Sequence, residues 1–338
     1  MTPPLLTVIV PTRDRPEMLG RALVSLQQQT WHPLEAVIVD DASTGSITEA
    51  IATNLTHRGL RVRFHRRDAQ GGPAAARNDG LMCAEGDYIS FLDDDDTLAP
   101  NAIEVAMTWL AQHPRAVACS SWHQVIHSTP RVEIFKGPTR CDSNVLRWFN
   151  SIGILFGVFR RSTAGDILRF DPELQACEDW DLWLRLAEIQ PIGVLPEPLY
   201  AYHQHTSARV SRADGVSAAG RSSFLTKHRT SMSAGCVAYH AACIELLEGR
   251  PRQAALASLL RQGPFAAAQA GTLLALQYSA VRLGLRLKDP GLPARTVTQL
   301  IQGRFAWSRI IQPWRREPQD STGPNPLGGD RVPRGSAD

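Results

Sequence analysis

Four consecutive carboxylates, Asp93 to Asp96, follow an apolar stretch, Tyr88 to Leu92, whose aromatic and β-branched residues predict a buried strand. Like charges at the end of such a strand raise one another's pKa unless a positive charge lies among them. Mg²⁺ and Mn²⁺ prefer carboxylate oxygens together with the oxygens of a substrate phosphate. The junction therefore indicates a divalent-metal site, although an acidic run can also be a solvated loop, with Asp96 and Thr97 capping a following helix.

Strands alternate with helices through the first part of the chain. Runs of β-branched and aromatic residues predict strands, and apolar residues spaced three or four apart predict helices. Such alternation predicts an α/β fold with a mostly parallel sheet flanked by helices on both faces. The predicted strands are Leu6–Val10, Glu35–Val39, Arg61–His65, Tyr88–Leu92 and one that begins at Val117, and the predicted helices are Arg15–Gln29, Ser46–Leu55, Gly72–Ala84 and Pro100–Gln112.

Three of the predicted strands end in loops rich in polar and acidic residues. The loops are Thr12–Arg15, Asp40–Ser43 and Asp93–Asp96. Ligands of open α/β sheets bind beyond the carboxyl ends of the strands, so we expect the three loops to share one cleft. The sequence has no G-x-G-x-x-G loop after its first strand and no G-x-x-x-x-G-K-[ST] loop, which excludes the commonest phosphate-binding loops. A nucleotide in this cleft would therefore be held through a metal.

Charge is divided unevenly along the 338 residues, whose formal net charge is +3. The first 214 residues carry a net charge of −6, whereas residues 215–312 hold twelve Lys and Arg against three Asp and Glu. An acidic domain that binds an anionic substrate needs a mediating cation, and a basic appendage suits an anionic surface. We expect an α/β domain over 1–212, a basic all-α region over 213–312 and a disordered tail over 313–338.

Helical spacing in the basic region predicts a buried seam of aliphatic residues, and other features bear on the cellular compartment. The stretch Phe265–Leu287 is interrupted by Gln and Arg, which favours a packed or surface-lying helix over a membrane span. The N-terminus has no basic n-region and predicts a strand, not a signal peptide. The six cysteines show no C-x-x-C spacing and indicate reduced thiols, so we expect a cytoplasmic protein. The predicted seam consists of Ile244, Leu247, Leu256, Leu259 and Leu260.

Five ordered segments resemble the family-2 glycosyltransferases, which have the GT-A nucleotide-sugar transferase fold, a Rossmann-like sheet with flanking helices. The resemblance covers about Leu5 to Ser211. Each segment alone is a weak signal, but five in the family's order are improbable by chance. They read VIVPTRDRPEMLGRALVSLQQQT, EAVIVDDAST, GGPAAARNDGLMCAEGDYISFLDDDD, ACEDWDLWLRL and YHQHTSARVS.

The resemblance implies a role for each residue of the predicted cleft. One carboxylate of the second loop would read the nucleobase, and such a carboxylate can accept the N3–H of uracil. Asp93 and Asp95 occupy the outer positions of the family's D-x-D motif, which is expected to contact the ribose and the metal. The implied nucleotide-sugar-binding residues are Pro11, Thr12, Arg15, Asp40, Asp41, Arg77, Asn78, Asp93 and Asp94, and the implied ligands of Mn²⁺ or Mg²⁺ are Asp95 and His205.

Asp179 matches the second residue of the family's "ED" pair, which acts as the catalytic base. The base removes the proton of the acceptor hydroxyl as that oxygen attacks the anomeric carbon. Helical apolar spacing from Trp180 to Leu186 predicts that Asp179 lies near a helix N-terminus, where a negative charge is stabilised. A plain capping role for Asp179 is the alternative.

These expectations describe an inverting, metal-dependent enzyme that moves a sugar from a nucleoside-diphosphate donor, with UDP favoured, to a carbohydrate or lipid-linked hydroxyl in polysaccharide or glycoconjugate synthesis. A nucleotidyltransferase and a non-catalytic, transferase-like binding protein are the alternatives; nucleic acid is not an expected partner. The basic region either contacts the inner face of a membrane peripherally or packs on the α/β domain. Residues 120–176 are the expected acceptor region, in which Trp122, Trp148 and Phe149 either stack on sugar rings or belong to the core.

Overall fold

The computed structural model describes residues 3–45, 60–127, 132–152, 156–204, 216–261 and 263. In chain order the strands are β1 (Leu6–Thr12), β2 (Leu34–Asp40), β3 (Arg61–Arg66), β4 (Tyr88–Phe91), β5 (Thr97–Leu98), β6 (Ala118–Ile126), β7 (Val132–Phe135), β8 (Arg140–Cys141), β9 (Gly157–Arg160) and β10 (Ile192–His203). The helices are α1 (Pro16–Gln27), α2 (Gly72–Cys83), α3 (Ala102–Gln112), α4 (Ser143–Leu146), α5 (Arg161–Ala164), α6 (Glu178–Ile189), α7 (Val216–His228), α8 (Ala234–Leu247) and α9 (Arg252–Leu260), and single 3₁₀ turns occupy Gly165–Ile167 and Arg229–Ser231.

The strands form one mixed sheet in the order β3-β2-β1-β4-β9-β6-β10-β5, with β7 paired to β6 and β8 paired to β10. Strands β3, β2, β1 and β4 run parallel, as do β6 and β10. Strand β9 is antiparallel to both β4 and β6 and joins the two parallel parts. The four parallel N-terminal strands bring the ends of β1, β2 and β4 to one edge of the sheet.

Strand β1 lies inside the sheet, between β2 and β4, and every one of its seven residues is buried. Val8 and Val10 pack with α1 and α3 on one face of the sheet, and Ile9 packs with α2 and α6 on the other. Successive strand residues point to opposite faces, so a continuous apolar run is what a doubly covered parallel strand requires. The predicted α/β architecture with helices on both faces is confirmed.

The predicted bounds agree with the structure to within two residues at β1, β2, β3, β4, α2 and α3. The strand predicted to begin at Val117 corresponds to β6, which continues to Ile126. Its later residues pair with β7. The short antiparallel strands β7, β8 and β9 have no counterpart among the predicted strands. The helix predicted for residues 46–55 lies outside the described residues.

The predicted aliphatic seam of the C-terminal region is wrong for Leu247, Leu256 and Leu260 and is confirmed for Leu259, which is buried. Leu247, Leu256 and Leu260 expose 47%, 55% and 58% of their surface. Small residues take their place: α8 and α9 turn mostly alanine and cysteine toward Trp148 and Phe149, together with Tyr239 and Leu259. Small side chains allow helices to approach one another more closely than leucine does. The spacing of apolar residues in the sequence does not indicate this kind of packing.

None of the helices within the described ranges is both long and apolar enough to cross a membrane. The predicted surface-lying helix, residues 265–287, and the predicted tail, residues 313–338, lie outside the described residues.

Candidate active site

Backbone hydrogen bonds hold the ends of β1, β2 and β4 together. The Asp41 amide donates to the Thr12 carbonyl at 2.9 Å, and the Leu92 amide donates to the Ile9 carbonyl at 3.0 Å. Pro11 lies in β1 opposite Val39 of β2. The three polar loops therefore leave the sheet side by side, as their positions after parallel strands predict.

Three non-glycine residues of the described chain have left-handed backbones, and all three lie beside predicted site residues. Asp14 has φ of 52°, Ala42 has φ of 57° and Cys177 has φ of 65°. Such conformations are uncommon for residues with a Cβ and cluster at functional sites, where the surrounding structure enforces them. Asp14 also ties two loops together, because its Oδ1 accepts a hydrogen bond from the Thr44 amide at 2.8 Å.

The first loop holds two of the four aspartates. Thr12 Oγ1 donates to Asp94 Oδ2 at 2.7 Å, and Arg15 Nη1 lies 3.3 Å from Asp94 Oδ1 and 3.4 Å from Asp95 Oδ2. Arg21 of α1 donates to the Asp95 carbonyl at 2.6 Å. Burial raises the pKa of Asp94 to about 6, against the lowering effects of Thr12 and Arg15. Arg15 thus supplies part of the positive charge that the acidic run needs.

Arg77 connects the acidic run to the start of α6. Its guanidinium is buried and donates to Asp93 Oδ1 at 2.7 Å and to Glu178 Oε1 at 2.9 Å. It also lies over the Phe170 ring at 5.3 Å. The sequence leaves open whether Arg77 pairs with Asp41 or contacts a nucleobase; the pairing is wrong, because Arg77 pairs with Asp93 and Glu178 and Asp41 is paired with Arg67 at 2.6 Å.

Carboxylates of the acidic run are arranged so that they can hold a divalent ion. One oxygen each from Asp93, Asp95 and Asp96 lies within 4.8 Å of the other two, and Asp93 is the most exposed, with 39% of its side chain accessible. Hard oxygen donors at this spacing suit Mg²⁺ or Mn²⁺. The donor set therefore fits the predicted ion.

Asp96 differs from its neighbours because both of its oxygens are engaged by β10. Tyr200 Oη donates to Oδ2, and the His203 amide donates to Oδ1 at 2.9 Å. His203 Nε2 is in turn 2.9 Å from Thr97 Oγ1. These contacts fix the end of β10 beside the acidic run. His205, the second predicted metal ligand, lies outside the described residues.

The two aspartates of the second loop, Asp40 and Asp41, make different contacts. Asp41 Oδ1 accepts from Arg67 at 2.6 Å and from the Gly71 amide at 2.8 Å, and its Oδ2 accepts from the Gly72 amide at 2.8 Å. Asp41 therefore anchors the start of α2. Asp40 Oδ1 accepts from the Ser43 amide, whereas its buried Oδ2 accepts no hydrogen bond within the described residues.

Asn78 is occupied by the backbone of Phe170. Its Nδ2 donates to the Phe170 carbonyl and its Oδ1 accepts from the Phe170 amide, each at 2.9 Å. The amide therefore fixes the segment that carries the ring beneath Arg77. This geometry gives Asn78 a positioning task, and the nucleotide contact that the resemblance implies stays a prediction.

Asp179 lies in the first turn of α6, as predicted, and is half-buried. Its Oδ1 accepts from the Trp180 amide at 2.7 Å, and its Oδ2 accepts from Asn150 Nδ2 at 3.4 Å. Burial raises the pKa of Asp179, although the Trp180 amide and Arg77 act in the opposite direction. Burial also raises the pKa of Glu178, which lies next to it and pairs with Arg77. A carboxylate with a raised pKa is better able to take up a proton.

Several residues of this arrangement are not among those predicted from the sequence. Glu178 has a detectable signal, because it is the first residue of the quoted "ED" pair. Arg67, Asn150 and Tyr200 have none, since their contacts join residues 26, 29 and 104 positions apart in the chain. Trp148 and Phe149 of the expected acceptor region belong to the core against α8.

Residues 7–160 match the family model described as glycosyl transferase family 2, which spans β1 to β9 and includes the three loops and the acidic run. Residues 7–160 belong to glycosyl transferase family 2. The matched region ends before Asp179, so the family model covers the sheet edge and not the start of α6.

Curated relatives of this family 2 glycosyltransferase are bacterial proteins. The putative colanic acid biosynthesis glycosyl transferase WcaA of Escherichia coli is 30% identical over 54% of this chain and 66% of its own length. The succinoglycan biosynthesis protein ExoO of Rhizobium meliloti is 29% identical over 67% of this chain and 69% of its own. The O-antigen biosynthesis protein RfbC of Myxococcus xanthus is 31% identical over 64% of this chain. The chain spans less than half the length of the first curated relatives it matches, and 17% of RfbC.

Solved structures place the family 2 glycosyltransferase in the GT-A fold. The S. aureus protein TarS, residues 1–349 with UDP-GlcNAc, is 17% identical with a TM-score of 0.56, over 84% of this chain and 93% of its own. The mannosyltransferase PcManGT of Pyrobaculum calidifontis, with GDP-Man and Mn²⁺, is 21% identical with a TM-score of 0.57, over 90% of this chain and 88% of its own. At these identities the likeness establishes the fold, which agrees with the fold predicted from the sequence.

Proposed function

We propose that this chain is an inverting glycosyltransferase that moves a sugar from a nucleoside-diphosphate donor, with a UDP-sugar as first choice, to an acceptor hydroxyl. The observation that carries the proposal is the contact chain formed by Asp93, Arg77 and Glu178, which joins the acidic run to the residue before Asp179. A diphosphate bound at the acidic run would then have its sugar directed toward the half-buried carboxylate of Asp179. Family membership and the GT-A fold support the same reading.

In this proposal Asp93 and Asp95 would hold Mn²⁺ or Mg²⁺, with His205 as a further ligand, and the ion would neutralise charge on the departing diphosphate. Thr12 and Arg15 line the same rim and fix Asp94. Asp40 is the proposed nucleobase reader, because its buried Oδ2 accepts no hydrogen bond among the described residues and has only Arg66 Nη1 at ion-pair distance, 3.5 Å away. Asp41 and Asn78 hold the loops in place.

The proposed reaction is a single displacement. Asp179 takes the proton of the acceptor hydroxyl as that oxygen bonds to the anomeric carbon, and the bond from this carbon to the diphosphate oxygen breaks. The electron pair of the broken bond leaves with the nucleoside diphosphate. Attack opposite the leaving group inverts the anomeric configuration. Asn150 and the Trp180 amide orient the carboxylate for this step.

A screen of UDP-, GDP- and dTDP-sugars with Mn²⁺ or Mg²⁺ tests the proposed function. We expect one class of nucleotide-sugar to stabilise the full chain against heat in a metal-dependent way. We also expect slow hydrolysis of that donor, which releases its nucleoside diphosphate. Release of pyrophosphate from a nucleoside triphosphate would favour a nucleotidyltransferase instead. Absence of binding and of hydrolysis for all three donor classes would remove the transferase proposal.

We also propose that the basic C-terminal region contacts an anionic lipid surface at the inner face of the membrane. Two observations favour it: the charge of residues 215–312, and the exposed Leu247, Leu256 and Leu260 beside Arg250 and Arg261. Apolar side chains flanked by arginines are typical of surfaces that dip into lipid headgroups. Such contact would bring the site close to a lipid-linked or polysaccharide acceptor.

Flotation of the full chain with vesicles tests this contact. We expect binding to phosphatidylglycerol vesicles and much less to phosphatidylcholine vesicles, and we expect Leu256→Glu with Leu260→Glu to abolish it. Met82→Glu is the matched control, because Met82 is the most exposed large apolar residue described, on α2. Flotation that is absent, or unaffected by the paired glutamates, removes the membrane contact.

A further inference from the structure

The hairpin formed by α7 and α8, residues 216–247, contacts residues next to both partners of the Asn150–Asp179 hydrogen bond. Asp179 is the proposed base, and Asn150 donates to it from the segment that follows α4. The two residues belong to different elements, so the distance between them depends on how those elements are held together. The hairpin reaches the neighbour of each.

On the Asp179 side, α7 packs on Trp180. The Phe224 ring stacks on the Trp180 ring with centroids 4.2 Å apart, and the Arg221 guanidinium lies 5.3 Å from the same ring. Two polar contacts of the buried Asp181 reinforce this packing. Its carboxylate lies 2.9 Å from Lys227 Nζ and 2.7 Å from His228 Nε2. The first turn of α6 is therefore attached to α7 on two successive residues.

On the Asn150 side, α8 holds the three residues that precede Asn150. His240 Nε2 and Cys236 Sγ both donate to the Arg147 carbonyl, at 2.8 Å and 3.1 Å. The Tyr239 ring packs on Trp148 and Phe149, with centroids 5.9 Å and 5.3 Å apart. Arg221 also lies over Tyr239 at 5.3 Å, so it bridges the two sides of the hairpin.

Gly220 of α7 lies close against Ala176, three residues before the proposed base. A Cβ at this position would lie 2.6 Å from Ala176 Cβ and 2.9 Å from the Ala176 carbonyl oxygen. Real Cβ atoms do not come so near, so any larger residue must displace α7 or the backbone at Ala176. Ala176 precedes the left-handed Cys177 and the Glu178–Asp179 pair. Glycine is required here by the close approach of two backbones.

We propose that the α7–α8 hairpin sets the position of Asp179 relative to Asn150, and that Gly220 and Arg221 are its positioning residues. The inference rests on the proposed function, since it assigns the hairpin to the same base. It predicts that damage to the hairpin contact lowers the rate of the chemical step and leaves the acidic run, and therefore nucleotide binding, unchanged. A region that the sequence marks only by its basic charge thus becomes part of the catalytic geometry.

Gly220→Ala in the full chain tests the inference, with Gly20→Ala as the matched control. Gly20 is also a helix residue, but a Cβ there meets nothing within 4 Å. For Gly220→Ala we expect kcat for donor hydrolysis or transfer to fall about ten- to a hundredfold, since a displacement near 1 Å costs about a hundredfold. We expect unchanged donor KM and unchanged calorimetric affinity for UDP with Mn²⁺, and no change in kcat for Gly20→Ala.

Arg221→Lys is the second variant, because it keeps the charge and loses the planar contact with both rings; a smaller fall in kcat with unchanged donor affinity is expected. Unchanged kcat in Gly220→Ala, with the wild type active, overturns the inference alone. An equal loss of UDP affinity and of kcat also overturns it, because it indicates general damage to the fold. A wild type that neither binds nor hydrolyses any nucleotide-sugar overturns the proposed function, and the inference with it.

Discussion

Asp94 is buried and Asp179 is half-buried, and the surroundings of the two carboxylates differ in kind. Asp94 faces a hydroxyl from Thr12 and the guanidinium of Arg15, and two more carboxylates adjoin it in the chain. Asp179 accepts its described hydrogen bonds from neutral N–H groups, the Trp180 amide and Asn150. Arg77, the buried cation between the two regions, makes its ion pairs with Asp93 and Glu178.

The comparison teaches how one residue type can serve two tasks. Carboxylates of the acidic run share arginines and lie near one another, which suits a divalent ion and the diphosphate it binds. Asp179 is kept apart from direct ion pairs, and burial raises its pKa, which suits a group that must accept a proton. Arg77 keeps the two sets of charges adjacent without pairing directly with the base.

Asp179→Asn is expected to have the largest effect on the comparison. An amide cannot take up the acceptor proton, so turnover should fall about 10²- to 10⁴-fold. The affinity for UDP with Mn²⁺ should be unchanged, because the acidic run is intact. Transfer assays and calorimetry on the same preparation measure the two quantities, with Asp166→Asn, an exposed aspartate, as control. Transfer at the wild-type rate would assign the base to another residue.

Replacing Arg77 by methionine is expected to weaken the whole site. The change leaves Asp93 and the half-buried Glu178 without their shared partner; breaking a fully buried ion pair costs about 3–5 kcal/mol of unfolding free energy, and the loss here should stay below that because 39% of the Asp93 side chain is accessible. Urea denaturation at pH 7 measures the loss. A matched substitution, Arg13→Met, removes an arginine whose side chain is 40% exposed and should cost far less. Equal losses in the two variants would show that Arg77 is not the link between the regions.

The raised pKa of Asp94 predicts a dependence of stability on pH. Burial raises its pKa to about 6 from an ordinary 3.8, so between these pH values the folded state holds a proton that the unfolded state has released. The unfolding free energy therefore falls as pH rises through this window, by about 3 kcal/mol from this group, and levels off above pH 6. Urea denaturation without metal at pH 4 and pH 7 measures the fall.

Asp94→Asn is the control for that pH dependence, because the amide keeps the shape and does not titrate. The variant should lose the fall attributed to Asp94, so the difference in unfolding free energy between variant and wild type should change between about pH 4 and 6 and stay constant above pH 6. Identical profiles for the two proteins would contradict the burial of a charged Asp94.

Asp95→Asn is expected to affect binding more than folding. Loss of one carboxylate from the donor set should weaken UDP affinity in the presence of Mn²⁺ by about a hundredfold, comparable with or greater than the loss of a residue that supports a ligand. Tyr200→Phe removes the hydroxyl that engages Asp96 and should weaken it less. The reverse order, with Tyr200→Phe the more severe, would assign the ion to Asp96 rather than to Asp95.

The sequence predicted well those parts of the molecule that local pattern determines. Strands β1, β2 and β4 are apolar runs buried on both faces, and the ends of parallel strands must meet at one edge. The juxtaposition of Thr12, Asp41 and Asp94 follows from that rule. The start of α6 at the "ED" pair follows from helical spacing after it.

Other features depend on contacts that no local pattern encodes. Arg77 meets Glu178 across 101 residues, so the link between the two groups of carboxylates could not be read from spacing. Asp41 proved to be an anchor for Gly71 and Gly72, because its backbone donors come from a different loop. Leu247, Leu256 and Leu260 of α8 and α9 were misplaced, since mostly alanine and cysteine face the core there. The antiparallel strands β7 to β9 are too short to show a period.

Calorimetric titration of the full chain with UDP, GDP and dTDP, each with and without Mn²⁺, tests the central claim most directly. The account predicts that one of the three binds only when Mn²⁺ is present, and that Asp95→Asn loses this binding whereas Asp179→Asn keeps it. Binding of none of them with Mn²⁺ present, or equal binding without any divalent ion, would contradict the claim that the acidic run holds a metal and a diphosphate.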